Sequence, residues 1–174
     1  MNRKVRYLTH AAIIAALYTV LTHMQNILLP NSASMMIQFR VSEALCVLAL
    51  FTPAAITGLT VGCLLFNISF AGALPLDWLV GTLASFLSAG AMWLTRKVTV
   101  KGWPLLGLTM PALFNALLIG WELTVYIGDT GFTMAAFWIN AVYVALGELA
   151  VLLIPGSVLY RAIKVRGLDQ RLFE

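Results

Sequence analysis

Four carboxylates and one arginine stand where the chain is otherwise apolar. Arg40 and Glu43 lie in the run Phe39-Arg-Val-Ser-Glu-Ala-Leu45, Asp77 opens an apolar run after Pro75, Glu122 follows Trp121, and Glu148 is enclosed by Leu146-Gly-Glu-Leu-Ala150. A carboxylate accepts hydrogen bonds only, and it can take two parallel ones from an amidine-like edge. Asn67, Asn115 and Asn140 add amides that both donate and accept. Trp78, Trp121 and Trp138 each neighbour a carboxylate or an amide, so their rings are placed to stack on a planar ligand. These residue types describe a pocket for a small polar solute, with carboxylates outnumbering the arginine and therefore favouring a cation or a donor-rich group. A planar, amino-bearing heterocycle is permitted but not selected. Plainer readings stand beside this one. Arg40 and Glu43, three apart, could pair with each other; Asp77 could cap a helix; Glu122 could lie in the interface, and the tryptophans in an aromatic belt.

The surroundings of these residues are lipid. Of 174 residues, 61% are hydrophobic and 10% charged, and the mean hydropathy is +0.91. A soluble domain carries about 25% charged residues, so this chain cannot cover itself with a hydrated surface. Ionisable side chains at membrane depth cost several kcal/mol and so face a cavity or a partner. Ten of the eleven basic residues fall in three clusters outside the apolar runs: Arg3, Lys4 and Arg6; Arg96, Lys97 and Lys101; Arg161, Lys164, Arg166 and Arg171. Placed at the mouths of spans, they read as topology signals and lipid-headgroup contacts, not as a nucleic-acid surface.

The apolar pattern predicts helices at about 7–29, 40–51, 53–70, 77–95, 103–122 and 134–160. Residues 40–70 as one helix would be about 45 Å long, beyond a hydrocarbon core of about 30 Å, so a tight turn is expected at Thr52-Pro53. Pro53 lacks a backbone donor and disfavours helix at Thr52. The second helix is then short, and its full crossing is left open. Six spans place all three basic clusters on one side, taken as cytoplasmic; five would not. The opposite side receives the connections 30–39, 71–76 and 123–133, with Asp77, Glu122 and Asp129 in or beside them. The fold class expected is an all-α membrane protein, a single six-transmembrane-helix bundle over residues 1–174 with both termini cytoplasmic, in the plasma membrane.

Helical spacing gathers the polar residues onto faces. Asn115 and Glu122 are seven apart, as are Thr60 and Asn67; Asp77, Gly81, Ser85 and Ser88 form a stripe. In the last helix Trp138 and Asn140 stand near the outer end, with Tyr143 and Glu148 deeper. His10 and His23 are read as the polar residues of the first helix, placed at its ends. Ala11, Ala12, Ala15 and Ala16 there allow close helix contact, within the bundle or with another membrane protein. Cys46 and Cys63 read as buried thiols without a metal or disulfide framework. The N-terminal apolar run is too long for a signal h-region. A phosphate-binding loop, zinc motifs and a Ser/His/Asp set are all missing from the sequence, so the chain is read as a non-enzyme that hydrolyses no ATP. Uptake energised by an ion gradient, with Glu148 carrying a proton, is one alternative; a non-transporting scaffold subunit is another.

The run Phe39-Arg-Val-Ser-Glu-Ala-Leu45, Asn67, Asp77-Trp-Leu-Val-Gly-Thr-Leu83 and Leu146-Gly-Glu-Leu-Ala150 resemble the QueT family over nearly the whole chain. The resemblance implies a six-helix substrate-binding component of an energy-coupling factor transporter, serving uptake of queuosine precursors. It implies a 7-deazaguanine ligand, such as 7-aminomethyl-7-deazaguanine, bound near the outer face. It further implies docking on a shared transmembrane coupling subunit, partly through Ala11, Ala12, Ala15 and Ala16, with ATP used by two cytoplasmic ATPases and no cofactor on this chain. Candidate acceptors are then Glu43, Asp77, Glu122 and Glu148, with Arg40 orienting Glu43 or meeting the heterocycle's carbonyl.

Overall fold

The computed structural model describes residues 2–30, 32, 39–127 and 131–173; Asp129 and most of the 30–39 connection lie outside them. Among the described residues the architecture is all-helical: α1 (Arg3–Leu28), a 3-10 helix (Val41–Leu50), α2 (Ala54–Ser69), α3 (Asp77–Thr95), α4 (Leu105–Ile127), α5 (Met134–Val151) and α6 (Ser157–Val165). A π-helical turn, Leu152–Gly156, joins α5 to α6, and a second, Asp169–Phe173, follows. The first turn admits Pro155, which cannot donate to a regular α-helical ladder.

Four stretches are long and apolar enough to cross a membrane: Arg3–Leu28, Asp77–Thr95, Leu105–Tyr126 and Met134–Val165. Val41–Leu50 and Ala54–Ser69 are apolar but shorter. Ten residues of 3-10 helix reach about 20 Å at about 2.0 Å each, against about 15 Å as an α-helix. The short second helix therefore gains length without spanning a core of about 30 Å. The break at Thr52-Pro53 forms as expected, with the N–H groups of Phe51 and Thr52 both donating to Leu48 O at 3.0 Å.

Three expected boundaries shift, the last helical stretch running to Val165 where 160 was expected. Helix one begins at Arg3, where the Asn2 side chain accepts from Lys4 N at 3.1 Å. Helix five continues to Ile127 instead of stopping at 122, because Leu-Thr-Val-Tyr-Ile is apolar and carries no breaker before Gly128. Glu122 consequently lies more than a turn inside its helix.

Helices α1 to α5 pack as sequential neighbours, and the 3-10 helix touches every α-helix of the bundle. The motif Arg40 to Glu43 thus leads into the central element. Close approach of α1 and α2 rests on small residues: a Cβ at Gly58 would meet Ala11 O at 2.8 Å, and one at Gly62 would meet Ala15 O at 2.9 Å. Two apolar clusters fill the interior, one around Tyr18, Val47, Leu59, Met92 and Leu108, the other around Val80, Ala84, Ile119, Leu123 and Val144.

The basic clusters gather at one end. Tyr7 Oη and Thr57 Oγ1 are 2.6 Å apart, Phe51 stacks on Tyr160 at 5.4 Å, and Trp103 lies 5.8 Å from the same tyrosine. The starts of α1, α2 and α4 and the whole of α6 therefore share that end, while Asp77 opens α3 at the other.

Candidate functional site

Along α3, α4 and α5 the inward faces alternate apolar residues with polar ones. Asp77, Gly81, Ser85 and Ser88 of α3 are all buried, as the stripe required; so are Asn115 and Glu122 of α4 and Asn140 and Glu148 of α5. Arg40, Glu43 and Asn67 are buried as well. Arg40 stands within electrostatic reach of all four carboxyls: Glu43 and Asp77, Glu122 and Glu148. Its guanidinium carbon is also 5.7 Å from the centre of the Phe66 ring. Residues from five separate helical elements thus converge on one arginine.

The carboxyls differ in how the chain satisfies them. Glu43, 2% exposed, accepts from Tyr18 Oη at one oxygen and from Cys46 Sγ, at 2.9 Å, at the other. Asp77 is the first residue of α3 rather than its cap, and it turns back to accept Leu74 N at 2.8 Å. Glu148, 1% exposed, accepts from Asn115 Nδ2 at 2.8 Å through Oε1. Its Oε2 has no hydrogen-bond partner among the described residues. Glu122 is wholly buried, and among the described residues neither of its oxygens is hydrogen-bonded. The Asp77 carboxyl is near enough to interact with it, and a proton carried by either carboxyl would bond the two.

The amides divide likewise. Asn67 Nδ2 donates to Asp77 O at 2.7 Å, while its Oδ1 is buried and without a partner among the described residues. Gly81 makes room for it, since a Cβ there would meet Asn67 Nδ2 at 2.7 Å. Asn140 is taken up by packing: its Nδ2 donates to Thr124 Oγ1 at 3.0 Å, and that hydroxyl donates to Gly120 O at 2.7 Å.

Several expectations are redrawn. Trp78, Trp121 and Trp138 are 49%, 41% and 56% exposed and so stand on the outside of the bundle, apart from the carboxyls. That position suits the aromatic belt. Ala11 and Ala15 are buried against α2, where the Gly58 and Gly62 contacts consume them; Ala12 and Ala16 remain exposed. His23 faces α2, not headgroups, with Nε2 2.9 Å from Ser69 Oγ and its ring 5.0 Å from Phe66. Thr60 binds Ile56 O of its own helix and lines an outer hollow with Trp78. A surface hollow of about 580 Å³ lies at the basic end, lined by Gly102, Trp103, Tyr160, Arg161 and Lys164, remote from this chemistry.

Tyr18, Thr22 and Gln25 were the residues that sequence reading passed over. All three are buried, and their spacing of four and three on one face of an apolar helix was the available signal. Gln25 is turned inward from α1, and both amide atoms of its neighbour Asn26 are buried without a partner among the described residues.

The chemical balance of the cluster is plain. Four carboxyls face one guanidinium, so protons or a cationic ligand must supply the rest, because unbalanced charge is costly at membrane depth. No curated protein and no solved structure matches this chain. A family model described as the QueT transporter matches residues 8–165, which include the arginine and every carboxyl of the cluster. The chain therefore belongs to the QueT transporter family and has a role in membrane transport.

Proposed function

We propose that this chain is the substrate-binding component of an energy-coupling factor transporter, capturing a 7-deazaguanine such as 7-aminomethyl-7-deazaguanine from outside the cell. The observation that carries the reading is Glu122, a fully buried carboxyl whose two oxygens lack hydrogen-bond partners among the described residues. A buried acceptor pair of this kind matches the N1–H and 2-amino edge of a guanine-like ring, which donates two parallel hydrogen bonds. Asn67 Oδ1 offers one more acceptor. Asp77, beside Glu122, suits the ligand's ammonium, and Arg40 its ring carbonyl. Glu43 and Glu148 complete the ring of carboxyls around Arg40.

The basic end of the bundle faces the cytoplasm in this reading, with both termini there and six passages through the plasma membrane, the 3-10 helix itself covering only part of the lipid depth. The sequence has no phosphate-binding loop motif, and in this reading two partner ATPases hydrolyse ATP and act through a transmembrane coupling subunit. The exposed Ala12 and Ala16 offer a small-residue face for that subunit. Mass spectrometry of the purified protein should find a copurifying 7-deazaguanine, and calorimetry should show 7-aminomethyl-7-deazaguanine binding. Liposomes holding this chain alone should take up none.

A second reading draws on Glu148, nearly inaccessible and with Oε2 unpartnered among the described residues: an ion-coupled secondary transporter with Glu148 as proton carrier. Uptake by the isolated chain under a pH gradient would establish that reading and overturn the first.

A further inference from the structure

Arg40 and Glu43 are held by hydrogen bonds that come largely from one stripe of α1. Arg40 has an extended backbone, φ −92° and ψ 104°, immediately before the 3-10 helix. In an extended chain the carbonyl before a residue and the N–H after it point to the same side. The Gln25 amide meets both: Oε1 accepts Val41 N at 2.7 Å, and Nε2 donates to Phe39 O. The same Nε2 lies 2.9 Å from Ser32 Oγ, to which it donates. One turn earlier Thr22 Oγ1 lies 2.7 Å from Ser42 Oγ, and one turn earlier again Tyr18 Oη donates to Glu43. Residues 18, 22 and 25 of α1 thus engage positions 39 to 43 in succession, running antiparallel.

We propose that Tyr18, Thr22 and Gln25 are the positioning residues of the binding site, fixing Arg40 and Glu43 relative to Asp77 and Glu122. A 3-10 helix of ten residues needs such help, since runs longer than three or four are uncommon and their hydrogen bonds are poorly aligned. Side chains at i and i+3 eclipse in it, so Glu43 and Cys46 follow one line, with Arg40 at the entry. A shift at its entry displaces the guanidinium and the carboxyl together. α1 therefore sets the spacing between the arginine and the acceptors, and with it which solute fits. The inference rests on the binding site proposed above.

The test compares Tyr18→Phe, Thr22→Val and Gln25→Leu with Thr22→Ser, which keeps the hydroxyl. Calorimetry with 7-aminomethyl-7-deazaguanine should show Kd weakened about tenfold or more in the first three, at unchanged stoichiometry, and wild-type affinity for Thr22→Ser. A merely structural role lowers the binding-competent fraction but leaves Kd alone, and that result would overturn the proposal. Amide hydrogen exchange supplies a measurement free of ligand. Residues 39–43 should exchange about tenfold faster in Gln25→Leu while α3 and α4 keep their protection; unchanged exchange at 39–43 would equally overturn it. Should the wild-type protein not bind this ligand, the substrate reading falls, and the exchange result alone decides the role of α1.

Discussion

Glu43 and Glu122 are both buried carboxyls within reach of Arg40, yet the chain treats them oppositely. Glu43 has a donor for each oxygen, Tyr18 from α1 and Cys46 from its own helix. Glu122 has none for either among the described residues. A buried acceptor without a partner costs about 1–3 kcal/mol, more if charged. Folding therefore explains Glu43, which ties α1 to the central helix, and gives no reason for Glu122. A residue that works against its own fold is accounted for by what it meets later, and local conflicts of this sort concentrate at functional sites. In the reading proposed above, the satisfied half frames the site and the unsatisfied half meets the solute.

Replacing Glu122 by leucine gives the largest expected effect. Two charge-assisted hydrogen bonds to the ligand vanish, so binding of 7-aminomethyl-7-deazaguanine should fall by about 100-fold or more. The thermal midpoint should hold or rise, because an apolar side chain of similar size relieves an unpaired carboxyl. Loss of stability without loss of affinity would show that Glu122 belongs to the frame. Glu43→Gln should lower stability as well. The new amide turns a donor towards Tyr18 or Cys46, and unfolding measurements should show a loss of about 1–3 kcal/mol. Wild-type stability in that variant would erase the distinction between the two carboxyls.

Sequence pattern located the frame better than it located the contacts. The six apolar segments, the Thr52-Pro53 turn and the basic end were legible because lipid admits few solutions: charges gather outside it and breakers end helices. Membership of the Asp77, Gly81, Ser85 and Ser88 stripe followed from helical period alone. The hidden part concerned direction. A tryptophan next to a carboxylate in sequence points about 100° away from it on a helix, and Trp138, two places before Asn140, points about 160° away, which is how Trp78, Trp121 and Trp138 came to face outward. Ala11 and Ala15 likewise suited contact within the bundle or with another membrane protein, and the approach of Gly58 and Gly62 shows the first. The donors to Glu43 were missed for the same reason, since Tyr18 lies 25 residues away. Backbone geometry mattered too: a 3-10 helix changes which side chains align, and nothing in the apolar run Ala44 to Leu50 announces it.

The tryptophans sharpen the comparison from outside. If contact with solute belongs to inward, unsatisfied groups, then Trp78→Leu, Trp121→Leu and Trp138→Leu should each change Kd by less than about twofold, as outward substitutions generally do. A tenfold loss in any of them would bring that ring back into the site and weaken the case for an acceptor-lined chamber.

The smallest effect is expected where a carboxyl is satisfied but wet. Lys164 Nζ donates to Asp169 Oδ2 at 2.8 Å, and this bond holds the Asp169 carboxyl below the usual aspartate range. The sign follows directly. A carboxyl titrating lower in the folded state adds stability above the ordinary aspartate range, and that contribution disappears as pH falls through the lowered folded-state value. Its size is limited by water and salt, because the lysine side chain is half exposed. Asp169→Asn should shift the thermal midpoint at pH 7 by less than about 2 °C, and by progressively less as pH falls below the ordinary aspartate range or as salt rises. Glu43→Gln exceeds it although both carboxyls have partners, since Tyr18 and Cys46 meet theirs where no water can substitute. Satisfaction stabilises in proportion to burial, and a shift at Asp169 as large as that at Glu43 would break this rule for the chain.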